Sequence, residues 1–206
     1  PLVLAGNFGE LRSNHFHAGI DIKTQQRQGL PVNSIADGTV VRIKVSHWGY
    51  GKVIYVAHPN GFTSVYGHLS KFSPTIEKYI KDLQYKKKSY EVEAFPDYGE
   101  LKVQKGELIA YSGDTGSSGG PHVHFEIRST ITEKPINPLL FGFDVRDATD
   151  PTVLELFGYP LSDDAEINQS NDRTKILFRK QGDGSYLADP VYAIGTIGFG
   201  VNAYDR

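Results

Sequence analysis

Along the first 130 residues, short runs of β-branched and aromatic residues alternate with turn-forming clusters. Such runs suit a pleated, half-buried surface, so 39–45, 53–58, 63–66, 107–111 and 123–128 are expected as strands. "ADG" at 36–38, "HPNG" at 58–61 and "SGDTGSSGG" at 112–120 supply the Gly, Asn, Asp and Pro that turns require. One stretch has a different period. Ile76, Tyr79, Ile80 and Leu83 fall at i, i+3, i+4 and i+7 in "SPTIEKYIKDLQYKKK", with Pro74 near the start, which predicts a single helix there. "YEVEAF" at 90–95 alternates again before "PDYGE" breaks it. The expected class is mainly β with one short helical insertion.

After Phe143 the texture changes. "DVRDATDPTVLELFGYPL" reads as a linker followed by a new strand, and "KILFRK" and "AIGTIGFGVNAYDR" as further strands between polar loops. Residues 1–144 are therefore expected as one domain and 145–206 as a partial, β-rich second one. Three or four strands in about 60 residues are thin for a free-standing sandwich.

Charge is nearly balanced, with 22 Lys and Arg against 24 Asp and Glu. A partner bound chiefly through its phosphates, such as nucleic acid, is not expected. The run Lys86–Lys88 reads as a solvated face. There is no cysteine, so disulfides are excluded and any zinc must be held by imidazoles and carboxylates. No run reaches the ~18–20 apolar residues of a membrane span. The chain opens on Pro1 with no initiator Met and no recognisable signal peptide, and is expected to be a mature or trimmed piece of a longer precursor.

The candidate chemistry begins with "GGPHVHFEIR". On a strand, i and i+2 point to one face, so His122 and His124 look into one space. In "HFHAGIDI", His17 and Asp21 stand four apart. One carboxylate and two imidazoles make a three-ligand zinc site with an open fourth position, the catalytic rather than the structural pattern. Zinc so held lowers the pKa of a water towards ~7 and polarises a carbonyl, and a neighbouring imidazole can take or give a proton. Spacing leaves the ligand identities open, because "HFH" at 15–17 also puts His15 and His17 on one face. His47 and His58 lie in turn-like surroundings and read as surface residues, while His68 in "YGHLS" stands open between surface and site. Other chemistries fit less well. "GDTGSSGG" lacks the Lys-Ser/Thr of a P-loop, no Gly-x-Ser-x-Gly elbow or His-Glu-x-x-His helix is present, and a thiol nucleophile is impossible.

"HAGIDI", "YGHLS" and "SGDTGSSGGPHVHFEIR" occur in that order, with framework segments "VNSIADGTVVRI" and "LKVQKGELIAYSG". In these motifs the chain resembles the lysostaphin-type family of zinc metalloendopeptidases, from about residue 5 to residue 140. The resemblance implies an antiparallel β-sheet groove with the site on its floor, and hydrolysis of peptide bonds in peptidoglycan. It implies one zinc per chain, held by His17, Asp21 and His124. His68 and His122 would be the catalytic imidazoles, one as general base and one steadying the oxyanion. Peptidoglycan stem or cross-bridge peptides would be the partners, and the location extracytoplasmic: periplasmic, envelope-anchored or secreted. The stretch 73–100 is longer than the family core usually has there, and would form a groove wall or a docking surface. The tyrosine that often helps polarise the carbonyl is assigned to no residue here. Asn7 precedes the first ligand, where an upstream Asn can occupy the open zinc position in latent relatives; here it reads as a turn residue. Two rival readings share the motifs: a catalytically inactive scaffold that regulates another cell-wall hydrolase, and a zinc peptidase acting on a protein substrate. All five key positions carry the residue types that an enzyme needs.

Overall fold

A computed structural model describes residues 1–145 and 149–204. The chain divides into two compact units, 1–146 and 147–206. In the first, the strands are β1 (Leu4–Gly6), β2 (Ile20–Lys23), β3 (Pro31–Asn33), β4 (Gly38–Val45), β5 (Lys52–Ala57), β6 (Phe62–Gly67) and β7 (Lys71–Phe72). Helix α1 (Pro74–Lys87) follows, then β8 (Val92–Ala94), β9 (Lys102–Val103), β10 (Leu108–Tyr111), β11 (His122–Ser129) and β12 (Pro135–Ile136). A nine-stranded antiparallel sheet runs β1-β2-β11-β6-β5-β4-β8, with β12 on β11 and β9 on β4. A small second sheet, β3-β10-β7, lies apart from it in pairing.

Alternation sorts the large sheet into two faces. Ile20, Ile43, Ile54, Tyr66, Phe125 and Ile127 turn inwards, against Val32, Phe72 and Ile109 of the small sheet and Ile76 and Ile80 of α1. The other face carries a small apolar cluster of Val53, Tyr55 and Val65, with Val41 and Tyr50 packed on it. The helix forms where its period requires: Pro74 sits in the first turn, and Lys88 closes the last turn in left-handed geometry. Within 73–100 the helix packs on the core face, while β8 extends the sheet beyond β4.

Two loops are locked together beside the open face. The β4–β5 turn and the loop before β11 exchange bonds from Ser117 N to Gly49 O (2.8 Å) and from Lys52 N to Thr115 Oγ1 (3.0 Å). Gly51 and Gly116 both have positive φ, +62° and +76°. A Cβ on Gly51 would stand 2.3 Å from Thr115 Oγ1 and 2.5 Å from the Gly116 nitrogen. Only glycine allows that approach.

His58, read from sequence as a surface residue, is buried. The turn around it is exposed, but its ring folds under β4: Nδ1 donates to the Asp37 carbonyl (2.8 Å), and Nε2 lies 2.8 Å from Ser64 Oγ. With both nitrogens partnered, burial costs little. His47 is exposed and stacks on Tyr90.

In the second unit, Thr152–Pro160 pairs antiparallel with Thr174–Ile176 and with Ile197–Tyr204, and two two-stranded ladders accompany them. "KILFRK" is broken at Leu177 into two short strands. The expected linker includes residues 146–148, which lie outside the described residues. Among the described residues, no helix is long and apolar enough to cross a membrane.

The lock predicts a contrast. Gly106→Ala meets only its positive φ, in open space, and should cost about 1 kcal/mol. Gly51→Ala adds a backbone clash and should cost about 2–3 kcal/mol, read from urea unfolding. Equal losses for the two would show that the loops are not packed as described.

Candidate metal centre and active site

Sheet register assembles the site. Val123 and Phe125 face the core, so His122, His124 and Glu126 take the open face. Antiparallel pairing sets His124 opposite Asp21 on β2 and opposite Gly67 on β6, and Asp21 opposite Gly6 on β1. His17 arrives through a hairpin, held by Gly9 N to His17 O and His17 N to Glu10 O (both 2.8 Å). All five residues named from the sequence line one hollow of about 260 Å³. His15 stands exposed at its rim, bonded to Asn14.

His17 Nε2, Asp21 Oδ1 and His124 Nδ1 converge: 3.0 Å between the two nitrogens, 3.1 and 3.0 Å from each to the carboxylate oxygen. The outer ring atoms decide the protons. His17 Nδ1 must donate to the Asn7 carbonyl (2.8 Å), and His124 Nε2 donates to buried Glu126 (2.8 Å). Both inward nitrogens of the neutral rings then present lone pairs to each other and to a carboxylate. Such a cluster is mutually repulsive until a proton or a cation enters, and its borderline N and O donors suit a transition metal such as zinc. His17, Asp21 and His124 could thus hold a metal ion. Asn7 contributes its main chain; its side chain is exposed.

His68 and His122 stand beside this group, ring centres 4.7 Å apart. Each has Nδ1 tied to a carbonyl, Thr115 and Gly120 respectively (both 2.7 Å), which leaves Nε2 for the hollow. His68 is held at φ +57°, an unusual conformation for a residue with a side chain. Burial lowers its pKa to about 4, so it is uncharged at neutral pH. Burial also works against charge on His122 and His124, but bonds to Asp21 prevail and raise both. Asp21 is pushed up by burial, yet the three imidazoles hold it well below the usual carboxylate range.

Three residues escaped the sequence reading. Glu126 is fully buried and gathers His124, Tyr50 Oη and Arg128 Nε on its two oxygens. It fixes the tautomer of His124, as outer carboxylates do for metal-binding histidines. Tyr50 stacks on His124 at 4.8 Å, but its hydroxyl is spent on Glu126. Arg12 donates to Asp21 Oδ2 (2.9 Å) and Glu10 Oε2 (3.1 Å). A Cβ on Gly6 would stand 2.5 Å from Arg12 Nη2 and 2.7 Å from Asp21 Oδ2, so this clamp needs glycine. Glu126 had a signal, the i+2 alternation His-x-His-x-Glu; Arg12 had none, because the hairpin alone brings it near.

Residues 15–84 and 98–138 match Peptidase family M23, and the chain belongs to that family. It is 35% identical over 139 residues to the DD-carboxypeptidase/endopeptidase Mpg of Neisseria meningitidis, covering 68% of this chain and 26% of that protein. It is 30% identical over 111 residues to the peptidoglycan DD-endopeptidase ShyA of Vibrio cholerae, covering 54% and 20%. The chain thus spans about a quarter of the length of these relatives. Its fold is similar to the catalytic domain of the antimicrobial peptidase lysostaphin from Staphylococcus simulans: TM-score 0.51, 25% identity, 68% of this chain and 91% of that one.

Two predictions follow from the outer residues. Arg12→Gln and Gly6→Ala touch no ligand atom, yet each should weaken zinc binding about 10–100-fold in competition with a chelator, by freeing Asp21; unchanged affinity in both would remove the clamp's role. Burial pushes Glu126 up, but bonds to His124 and Arg128 hold it at about 2, below its ordinary 4.5. Its ionised form therefore stabilises the fold above pH 4.5, and that contribution fades as pH falls from about 4.5 towards 2. Urea midpoints of metal-free protein should drop across this window, and less steeply in Glu126→Gln.

Proposed function

We propose that this chain is the zinc-dependent endopeptidase unit of a peptidoglycan hydrolase that acts outside the cytoplasm. The observation that carries the reading is the convergence of three lone-pair donors whose outer atoms are already bonded. The family membership and the relatives' names support the choice of reaction and substrate. His17 Nε2, Asp21 Oδ1 and His124 Nδ1 would hold one zinc. When bound, that ion supplies a Lewis acid and a readily deprotonated water.

The chain's own groups supply the rest. His68, kept uncharged, offers Nε2 as the acceptor of the proton that a nucleophilic water loses. His122, whose Nε2 lies 3.4 Å from Asp21 Oδ1 and which is more readily protonated, would give a hydrogen bond to the developing oxyanion and then its proton to the leaving amine. Glu126 and Arg12 keep His124 and Asp21 in single orientations. The second unit, 147–206, contains no histidine and is not needed for the metal in this reading.

The test separates ligand from catalyst. His124→Ala removes a ligand and one of the three partners of Glu126; zinc per chain and turnover on a wall peptide should fall together. His122→Ala and His68→Ala should keep near-stoichiometric zinc while turnover falls by roughly 10²–10⁴-fold. Zinc retained in His124→Ala and lost in His122→Ala would reverse the roles. Stoichiometric zinc with no hydrolysis of purified peptidoglycan by wild type would favour the scaffold reading.

A further inference from the structure

A second hollow, of about 250 Å³, adjoins the first. The two share Gly49 and Tyr50, so the stacked Tyr50 ring forms the sill between them. Lys44, Arg42, Tyr55 and Trp48 line the second one. It lies in line with the metal group. Asp21, His124 and Gly67 occupy one row of the sheet; carrying the β5–β6 register one residue past Ile54–Tyr66 sets Val53 beside Gly67, and Val53 pairs with Lys44, which pairs with Glu93. Three inter-strand steps of ~4.8 Å put Lys44 ~14 Å from His124 along the sheet, about four residues of extended peptide.

The charges in this hollow are unevenly spent. Arg42 is committed: Nε and Nη2 both donate to Glu93 (2.7 and 2.6 Å), and its guanidinium lies over Tyr55 and Phe95. Arg128, whose guanidinium also lies over the Tyr55 ring, is committed to Glu126. Glu91 accepts from His47 N and Ser46 Oγ on one oxygen, Oε1. Lys44, half-buried on the same face, makes no ion pair within 4 Å among the described residues, although its charge is felt by the exposed carboxylate of Glu91. At the rim, Trp48 is 78% exposed, an apolar surface with nothing packed over it. An ammonium with no carboxylate in direct contact, an open indole and a tyrosine together suit a peptide that carries a carboxylate and lays an apolar or amide surface on the ring.

The buttress of the hollow lies outside the family's match. Residues 85–97 are unmatched, and they supply Glu93 and Phe95 to Arg42, Glu91 to the turn that bears Trp48, and Tyr90 to His47. We infer that the second hollow is a substrate subsite that selects wall peptides bearing a free carboxylate, held by Lys44 within about four residues of the cut bond, over peptides in which that carboxylate is amidated. The inference rests on the peptidase reading above and adds to it the group recognised.

Trp48 is the chain's one tryptophan, so its fluorescence reports on this hollow directly. The probes are two synthetic stem peptides that differ only in a side-chain carboxylate, free in one and amidated in the other. They are titrated into the metal-free full chain by Trp48 emission and by calorimetry. The free-acid peptide should shift Trp48 emission saturably and bind about five- to tenfold more tightly than the amide. Higher salt should narrow that difference. Lys44→Gln should abolish the preference, with an unchanged thermal midpoint, and Lys44→Arg should largely restore it. Equal affinity for both peptides, or calorimetric binding that leaves Trp48 emission unmoved, overturns the subsite while the peptidase reading stands. Absence of binding by either peptide also overturns the subsite, while zinc content and turnover decide the peptidase reading separately.

Discussion

Three electron-rich atoms, His17 Nε2, Asp21 Oδ1 and His124 Nδ1, are pressed to 3.0–3.1 Å of one another, and the surrounding structure exists to keep them there. Left to themselves, two imidazoles would turn donors towards the carboxylate. Here the donors are taken from behind, by the Asn7 carbonyl and by Glu126, so the inward atoms have only lone pairs to offer. Each tie belongs to a different part of the chain. The hairpin before β2 holds His17 and, through Arg12, Asp21; β11 holds His124 through its own neighbour two residues on. The antiparallel register of β2 with β11 then fixes the distance between them.

The same logic extends outwards. Glu126 can sit fully buried because His124, Tyr50 and Arg128 occupy its oxygens. Tyr50 can reach it because the turn at Gly49–Gly51 is locked against the loop of Gly116. That loop also carries the Thr115 and Gly120 carbonyls that aim His68 and His122. His68 itself is held in a left-handed conformation that is costly for a residue with a side chain.

Local pattern made much of this legible. The strands at 39–45, 53–58, 63–66, 107–111 and 123–128 and the helix around Ile76 and Ile80 obey simple periods, and all are found within a residue or two of the expected bounds. The His-x-His pair announced a shared face, and the motifs placed His17, Asp21 and His68 with it. What stayed hidden depended on distance in sequence. β1 and β2 are three and four residues long and take their identity from pairing, not from composition. Arg12 reads as a charged surface residue until Gly6 and Glu10 bring it against Asp21. His58 reads as a turn residue because Pro59 and Asn60 are one; its burial depends on Asp37 and Ser64, partners that no local pattern announces. The outer residues of the candidate metal centre are therefore the least visible part of it, although they decide which atoms face inwards.

The central claim is that this buried cluster is a metal site built from two imidazoles and one carboxylate. X-ray absorption at the zinc edge, on the full chain loaded with one equivalent of zinc, addresses it most directly. The account predicts about four N and O neighbours near ~2.0–2.1 Å, with outer-shell scattering from two imidazole rings that falls to one in His124→Ala. A shell of oxygen atoms without imidazole scattering, or a spectrum that His124→Ala leaves unchanged, would contradict it.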